Sequence, residues 1–152
     1  MGNFKEDLTE GEKGEELVYK LLCQSSQNKT VMDVRNDIYF QDLDIDFLAE
    51  KHSGIVIKYE VKTDRLAHKT GNLVYEETTS GNIGCLAKSH ADYILYYLSQ
   101  SNELYGFWLI DMRNYIKETK PQLVNMGDNA EGYLLKITDL ISKKIIKKVL
   151  TY

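Results

Sequence analysis

Between Gln41 and Asp64 the chain reads QDLDIDFLAEKHSGIVIKYEVKTD, two extended-prone runs joined by a short polar turn. Ile55 to Lys62 is rich in β-branched and aromatic residues, and Ala49-Glu-Lys-His-Ser-Gly54 supplies the turn before it, so the stretch predicts an antiparallel hairpin. Side chains on a strand alternate between faces. Glu60 and Lys62 therefore share one face, with Cα atoms about 6.6 Å apart, while Ile55, Ile57, Tyr59 and Val61 form the predicted core face. On the preceding run Asp46, Leu48 and Glu50 share a face opposite Ile45, Phe47 and Ala49. Antiparallel pairing sets the start of one strand beside the end of the other, which brings Asp46 to Glu60, Val61 and Lys62.

Two carboxylates and an ammonium thus converge at one end of a sheet. Hard oxygen donors of this kind suit Mg²⁺ or Mn²⁺, which keep several waters and take one or two carboxylates plus a substrate phosphate. Such an ion can polarise a phosphoryl oxygen and orient water. Lys62 can position or deprotonate that water, since burial or a nearby cation lowers a lysine pKa. Glu-x-Lys alone is common as a solvated charge pair. An Asp opening an Ile-Asp-Phe-Leu-Ala run, at the matching end of the hairpin, sets this instance apart.

Upstream, Thr9-Glu-Gly-Glu12 fits a capping box, and Glu10 to Cys23 carries helical periodicity through Val18, Leu21 and Leu22. Glu12 reads as a cap residue, and Glu16, four positions before Lys20, as an exposed ion-pair partner. Glu15, Val18 and Leu22 share the stripe that packs on the sheet. A carboxylate there either joins a metal cluster or snorkels to the edge of the stripe.

With these residues the chain resembles the PD-(D/E)XK nuclease superfamily, which includes restriction endonucleases and small Holliday junction resolvases. Gly14-Glu15-Glu16-Leu17-Val18 is similar to the family's helix motif, Asp46 to its acidic residue and Glu60-Val61-Lys62 to its final triplet. The resemblance implies an α/β fold, a restriction-endonuclease-like mixed β-sheet flanked by helices, with an N-terminal helix ahead of the hairpin that carries the site. It also implies Asp46 and Glu60 as metal ligands with the Val61 carbonyl as a third, Lys62 as the water-activating or charge-stabilising residue, and Glu15 as a ligand behind them. The family's Pro before the Asp is replaced by Ile45, and Asp44 is a rival for Asp46, as Glu12 is for Glu15. The matching motifs span residues 14 to 62.

At 152 residues and 43% hydrophobic, the chain suits a single domain, 1–152. No apolar run approaches the roughly 18 residues that span a bilayer, and Met1 to Asp7 lacks a signal-peptide core and a myristoylation pattern, so a cytoplasmic protein away from membranes is expected. Cys23 and Cys85 lack metal spacing and read as buried, reduced thiols. His52 reads as solvated in the hairpin turn. No P-loop, GxGxxG or GxSxG sequence is present.

A net charge of −4 is unusual for a nucleic-acid partner. Asp44, Asp46, Glu60 and Glu15 concentrate negative charge where divalent ions would offset it. The best local basic group follows the hairpin: Arg65, His68 and Lys69, then Asn72 after Gly71, either gripping a phosphate or forming an ordinary solvated connection. A helix predicted over Ile83 to His90 is expected to deliver Lys88 or Ser89 toward the substrate. Lys143, Lys144, Lys147 and Lys148 read as the solvent face of a C-terminal amphipathic helix.

Strands are predicted over Leu73–Glu77, Asp92–Leu98, Leu104–Met112 and Tyr133–Thr138, a helix over Arg113–Thr119 and a flexible loop over Lys120–Gly132. Tyr75 is a candidate for base stacking, and Glu76 and Glu77 beside it read as cross-strand pairing partners ahead of a further metal contact. These readings converge on an Mg²⁺- or Mn²⁺-dependent DNA endonuclease, by fold-level analogy acting on branched or junction DNA as a homodimer. The alternative is a nuclease-fold protein that binds nucleic acid without cutting it.

Overall fold

The structure, a computed structural model, describes the backbone of residues 4–149 and the side chains of residues 9–149. Met1 to Asn3, part of the segment read against a leader, lie outside the described residues. In chain order the elements are α1 (Phe4–Gln24), β1 (Asn28–Asp33), α2 (Ile38–Asp42), β2 (Phe47–Lys51), β3 (Val56–Asp64), α3 (Ala67–Thr70), β4 (Asn72–Thr79) and β5 (Asn82–Ile83). There follow α4 (Cys85–Lys88), β6 (Tyr93–Leu98), β7 (Glu103–Trp108), α5 (Leu109–Thr119), β8 (Val124–Gly127), β9 (Ala130–Lys136), α6 (Ile137–Ser142) and β10 (Lys147–Val149).

Among the described residues ten strands make two sheets. A six-stranded mixed sheet runs β1-β2-β3-β6-β7-β10 and a four-stranded antiparallel sheet runs β5-β4-β9-β8. In the larger sheet the central β3–β6 pair is parallel and its neighbours are antiparallel. Central strands buried on both faces read as near-continuous apolar runs, as Tyr-Ile-Leu-Tyr-Tyr-Leu of β6 does. Leu95 and Tyr97 pack under α1 with Val18, Leu22, Phe47 and Val61. Ile94, Tyr96 and Leu98 pack on the other face with Leu73 and Tyr75 of the small sheet, Met112 of α5 and Leu140 of α6. The result is an α/β fold, a mixed sheet sandwiched between an N-terminal helix and a layer built from the small sheet and helices. Among the described residues no helix is long and apolar enough to cross a membrane.

Several sequence expectations are corrected. Helix α1 begins at Phe4, so Thr9 and Glu12 lie inside it and form no cap. Ile55 is 60% exposed, because β3 starts one residue later and the turn holds Ile55 outside the sheet. The run Leu104–Met112 divides: β7 ends at Trp108, opposite Tyr93, and Leu109 with Met112 then bury a helical face. An apolar run carries no mark of where a strand becomes a helix. The region read as a flexible loop is a β8–β9 hairpin turning through Asp128 and Asn129, both at positive φ (50° and 59°). Of Ile83–His90 only Cys85–Lys88 is helical, since Asn82 and Ile83 pair with β4. The lysine-rich C-terminal run is no helix: α6 ends at Ser142, and Lys147–Val149 pairs with β7. Cys23 is exposed, while Cys85 is half-buried. Tyr75 is 3% exposed inside the core and cannot stack on a base.

Candidate active site

The site occupies an open seam between β2 and β3. Their ladder begins at the Phe47–Tyr59 pair, where the Asp46 N–H donates to the Tyr59 carbonyl at 2.8 Å. Before Asp46 the chain turns away, with Asp44 at φ 52° and the Ile45 N–H bonded to Phe40 at 3.0 Å. Strand β3 continues to Asp64 beside β6. Residues two apart on a strand present their N–H and C=O on the same edge, so Val61 faces the place that β2 has left. There Asp46 Oδ2 accepts the Val61 N–H at 2.8 Å. A side-chain carboxylate thus completes the ladder, and the Val61 carbonyl shares that edge.

Tyr59 and Val61 pack under α1, and Glu60 and Lys62 alternate onto the face toward the small sheet. Glu60 is 6% exposed and its Oε1 lies 2.8 Å from the Lys62 Nζ. Burial pushes the Glu60 carboxyl up to about 8, with Lys62 opposing and the Asp46 and Asp44 carboxylates adding to the rise. Burial also raises Asp46, against the pull of the Val61 N–H. For Lys62, burial pulls the pKa down, but the adjacent Glu60 outweighs it and the net direction is up. The expectation that burial would lower Lys62 is therefore corrected: a buried ammonium surrounded by carboxylates stays charged. A quarter of the side chain remains exposed, and it lines a cavity of about 210 Å³ with Cys85, Glu76 and Tyr96.

Gly14 brings α1 onto this region. A Cβ there would collide with Thr63 Oγ1 on β3 and crowd the Tyr97 ring, so only glycine permits the approach. The next residue, Glu15, has its pKa raised by burial and by Asp46. It stands behind Asp46, tied to the Arg35 guanidinium at 3.3 Å. Arg35 also bonds Glu16 at 2.8 Å and Asp33 at 2.7 Å and lies over the Phe47 ring, 5.1 Å from its centroid. Glu16, read as the partner of Lys20, instead belongs to this cluster. Sequence reasoning missed Arg35, because its partners come from a helix nineteen and twenty positions upstream and from an edge strand. The only local signal was Asp33 two positions before it.

Asp44 does not share a strand face with Asp46, since its left-handed backbone breaks the alternation. Its Oδ2 is buried without a hydrogen bond, and the Lys88 ammonium, 3.6 Å away, supplies charge alone. Among the described residues no group of three or more His, Cys, Asp or Glu side chains is arranged to hold a metal ion. Glu15 thus does not complete a three-carboxylate cluster. What remains is a smaller hard-oxygen set, the Asp46 and Glu60 carboxylates and the Val61 carbonyl, and burial is the main cause of the upward displacement of both acids. That donor set fits a divalent cation that keeps most of its waters.

Of the candidate nucleic-acid contacts, Lys88 is held on the Asp44 carboxylate. Arg65 turns back to Glu10 of α1 at 3.6 Å. His68 and Lys69 are exposed on α3, and Asn72 is half-buried at the start of β4, its backbone N–H bonded to Thr70. Glu76 accepts from Thr79 at 3.1 Å beside Cys85, on the far wall of the Lys62 cavity.

No family model matches the chain, and no curated protein matches it. Among solved structures, the chain is similar to a bacterial homing endonuclease, I-Ssp6803I, at 20% identity over 71% of this chain and 70% of that one, with a TM-score of 0.48.

Proposed function

We propose that the chain is a DNA endonuclease that hydrolyses phosphodiester bonds with Mg²⁺ or Mn²⁺, acting as a homodimer on branched or junction DNA. One observation carries the reading: Asp46, from the turn before β2, closes the seam against Val61 and places its carboxylate beside Glu60 and Lys62. Asp46, Glu60 and the Val61 carbonyl are the groups to hold the cation. When bound, it would polarise the scissile phosphate and offset charge on the leaving oxygen. Lys62, charged and partly exposed, orients the attacking water and stabilises charge building on the phosphate. Arg35 holds Glu15 in position behind Asp46. The junction preference rests on fold-level analogy, and the homodimer on symmetry, since paired cuts in two strands require two sites.

A second reading, a nuclease-fold protein that binds DNA without cutting, draws on the absence, among the described residues, of a group of three or more His, Cys, Asp or Glu side chains arranged to hold a metal ion. The test incubates the protein with Mg²⁺ or Mn²⁺ on four-way junction, flap, single-stranded and supercoiled DNA, beside Lys62→Ala and Asp46→Ala. Cleavage abolished in both folded variants supports the enzyme. Binding without cleavage on every substrate supports the second reading.

A further inference from the structure

A groove of about 470 Å³ adjoins the Lys62 cavity, the two sharing Asp64, Val74 and Glu76 as walls. Its base is the outer face of the small sheet. Leu73 and Tyr75 point into the core, so Asn72, Val74 and Glu76 alternate outward, and Val74 lies opposite Leu134 in the ladder. Gly132 keeps the base of the groove low: a Cβ there would collide with the Tyr75 carbonyl and meet Met126 Cε at 2.9 Å. Leu66 forms part of the wall. The lining is therefore apolar through Leu66, Val74, Met126 and Leu134, with two amides, Asn72 and Asn125.

The amides are available. Asn125 Oδ1 accepts the Gly127 N–H at 2.8 Å, which leaves its NH₂ as a donor, and no side-chain hydrogen bond of Asn72 is present among the described residues. The charge of the groove selects what can enter. No Lys or Arg lines it, whereas Asp64, Glu76 and Asp128 do, so a phosphate is repelled and a neutral, flat, hydrogen-bonding group is accepted. A nucleotide meets both demands at once: its phosphate stays with Lys62 and its base enters the neighbouring groove.

We infer that this groove seats an unpaired nucleobase next to the scissile phosphate, with Asn72 and Asn125 contacting its edge. The inference rests on the nuclease reading and deepens it, because a base can enter only where it is unpaired, at a branch point, a flap or a single strand. It makes the small sheet the element that selects DNA structure.

The test titrates the ¹⁵N-labelled full chain, in EDTA to prevent cleavage, with a single-stranded tetranucleotide and with the same backbone lacking its bases. Asn72→Ala and Asn125→Ala assign the two side-chain amide signals. The expected result is a shift of both signals with the tetranucleotide but not with the abasic form, and a loss of affinity of about tenfold or more in Leu134→Glu, with an unchanged circular dichroism spectrum. Signals that stay still at millimolar tetranucleotide overturn the inference, as do equal shifts with the abasic backbone. Shifts that follow protein concentration without DNA also overturn it, by making the groove a contact between copies. Cleavage by the unlabelled protein is scored separately: still amides with intact cleavage remove the groove alone, and shifted amides without cleavage remove the nuclease reading alone.

Discussion

The six-stranded sheet is covered on both faces, by α1 on one and by the small sheet with α5 and α6 on the other, yet it buries Glu60 and half-buries Asp46 and Lys62. The four-stranded sheet keeps an open face, where Asn72, Glu76 and Leu134 reach solvent. Burial is the difference. In the closed layer each charge must find a partner or give up its ionisation, which holds reactive groups in one geometry. On the open face water satisfies the polar atoms, leaving them free for an outside molecule.

The contrast can be broken where it is strongest. Lys62→Ala and Asp46→Asn should each lower the cleavage rate by about a hundredfold or more, as removal of a positioned catalytic group does. A matched replacement on the open sheet away from both cavities, Lys136→Ala, should leave the rate of the bond-breaking step within about tenfold under single-turnover conditions. Equal losses on both sheets would erase the distinction.

The next effect concerns pH. Glu60 titrates near 4.5 when unfolded and at about 8 when folded, so between those values the folded chain retains a proton that the unfolded chain has released. Metal-free stability from this group is fully present below about pH 4.5 and is lost as the pH rises toward 8, by a few kcal/mol at about 1.4 kcal/mol per pH unit. Urea unfolding at several pH values should show that decline, and Glu60→Gln should flatten it. A flat profile over the same window in the unaltered chain would mean that Lys62 fully compensates Glu60.

A smaller loss is expected at the helix contact. Gly14→Ala should cost about 1–3 kcal/mol in denaturation midpoint, because the added methyl presses on Thr63 and displaces α1. The same change should reduce cleavage by carrying Glu15 away from Asp46. The smallest effect belongs to the open sheet: Leu134→Ser, at a site 48% exposed, should change stability by no more than about 0.5 kcal/mol.

The hairpin and its charged ends were legible because period-two alternation and a Gly-containing turn fix both pairing and facing. Gly14 was visible as part of a motif, but its reason was not, since Thr63 and Tyr97 meet it only across the helix–sheet contact. The hairpin at Asp128 and Asn129 had a local signature in its Gly-Asp-Asn turn, masked by the polarity of the segment around it. The strand-to-helix change at Leu109 had none. Lys147 to Val149 joins β7 because an open sheet edge was available there, a fact about the partner strand rather than about the lysines.

By itself the sequence determined that Asp46 would meet Glu60, Val61 and Lys62, because hairpin pairing is a local rule that acts within twenty residues. Tertiary structure alone decided the protonation tendencies of these groups, the clamp of Arg35 on Glu15 and the groove beside Lys62. Each depends on which distant surface closes over the hairpin, and that closure sets the burial that governs every buried charge.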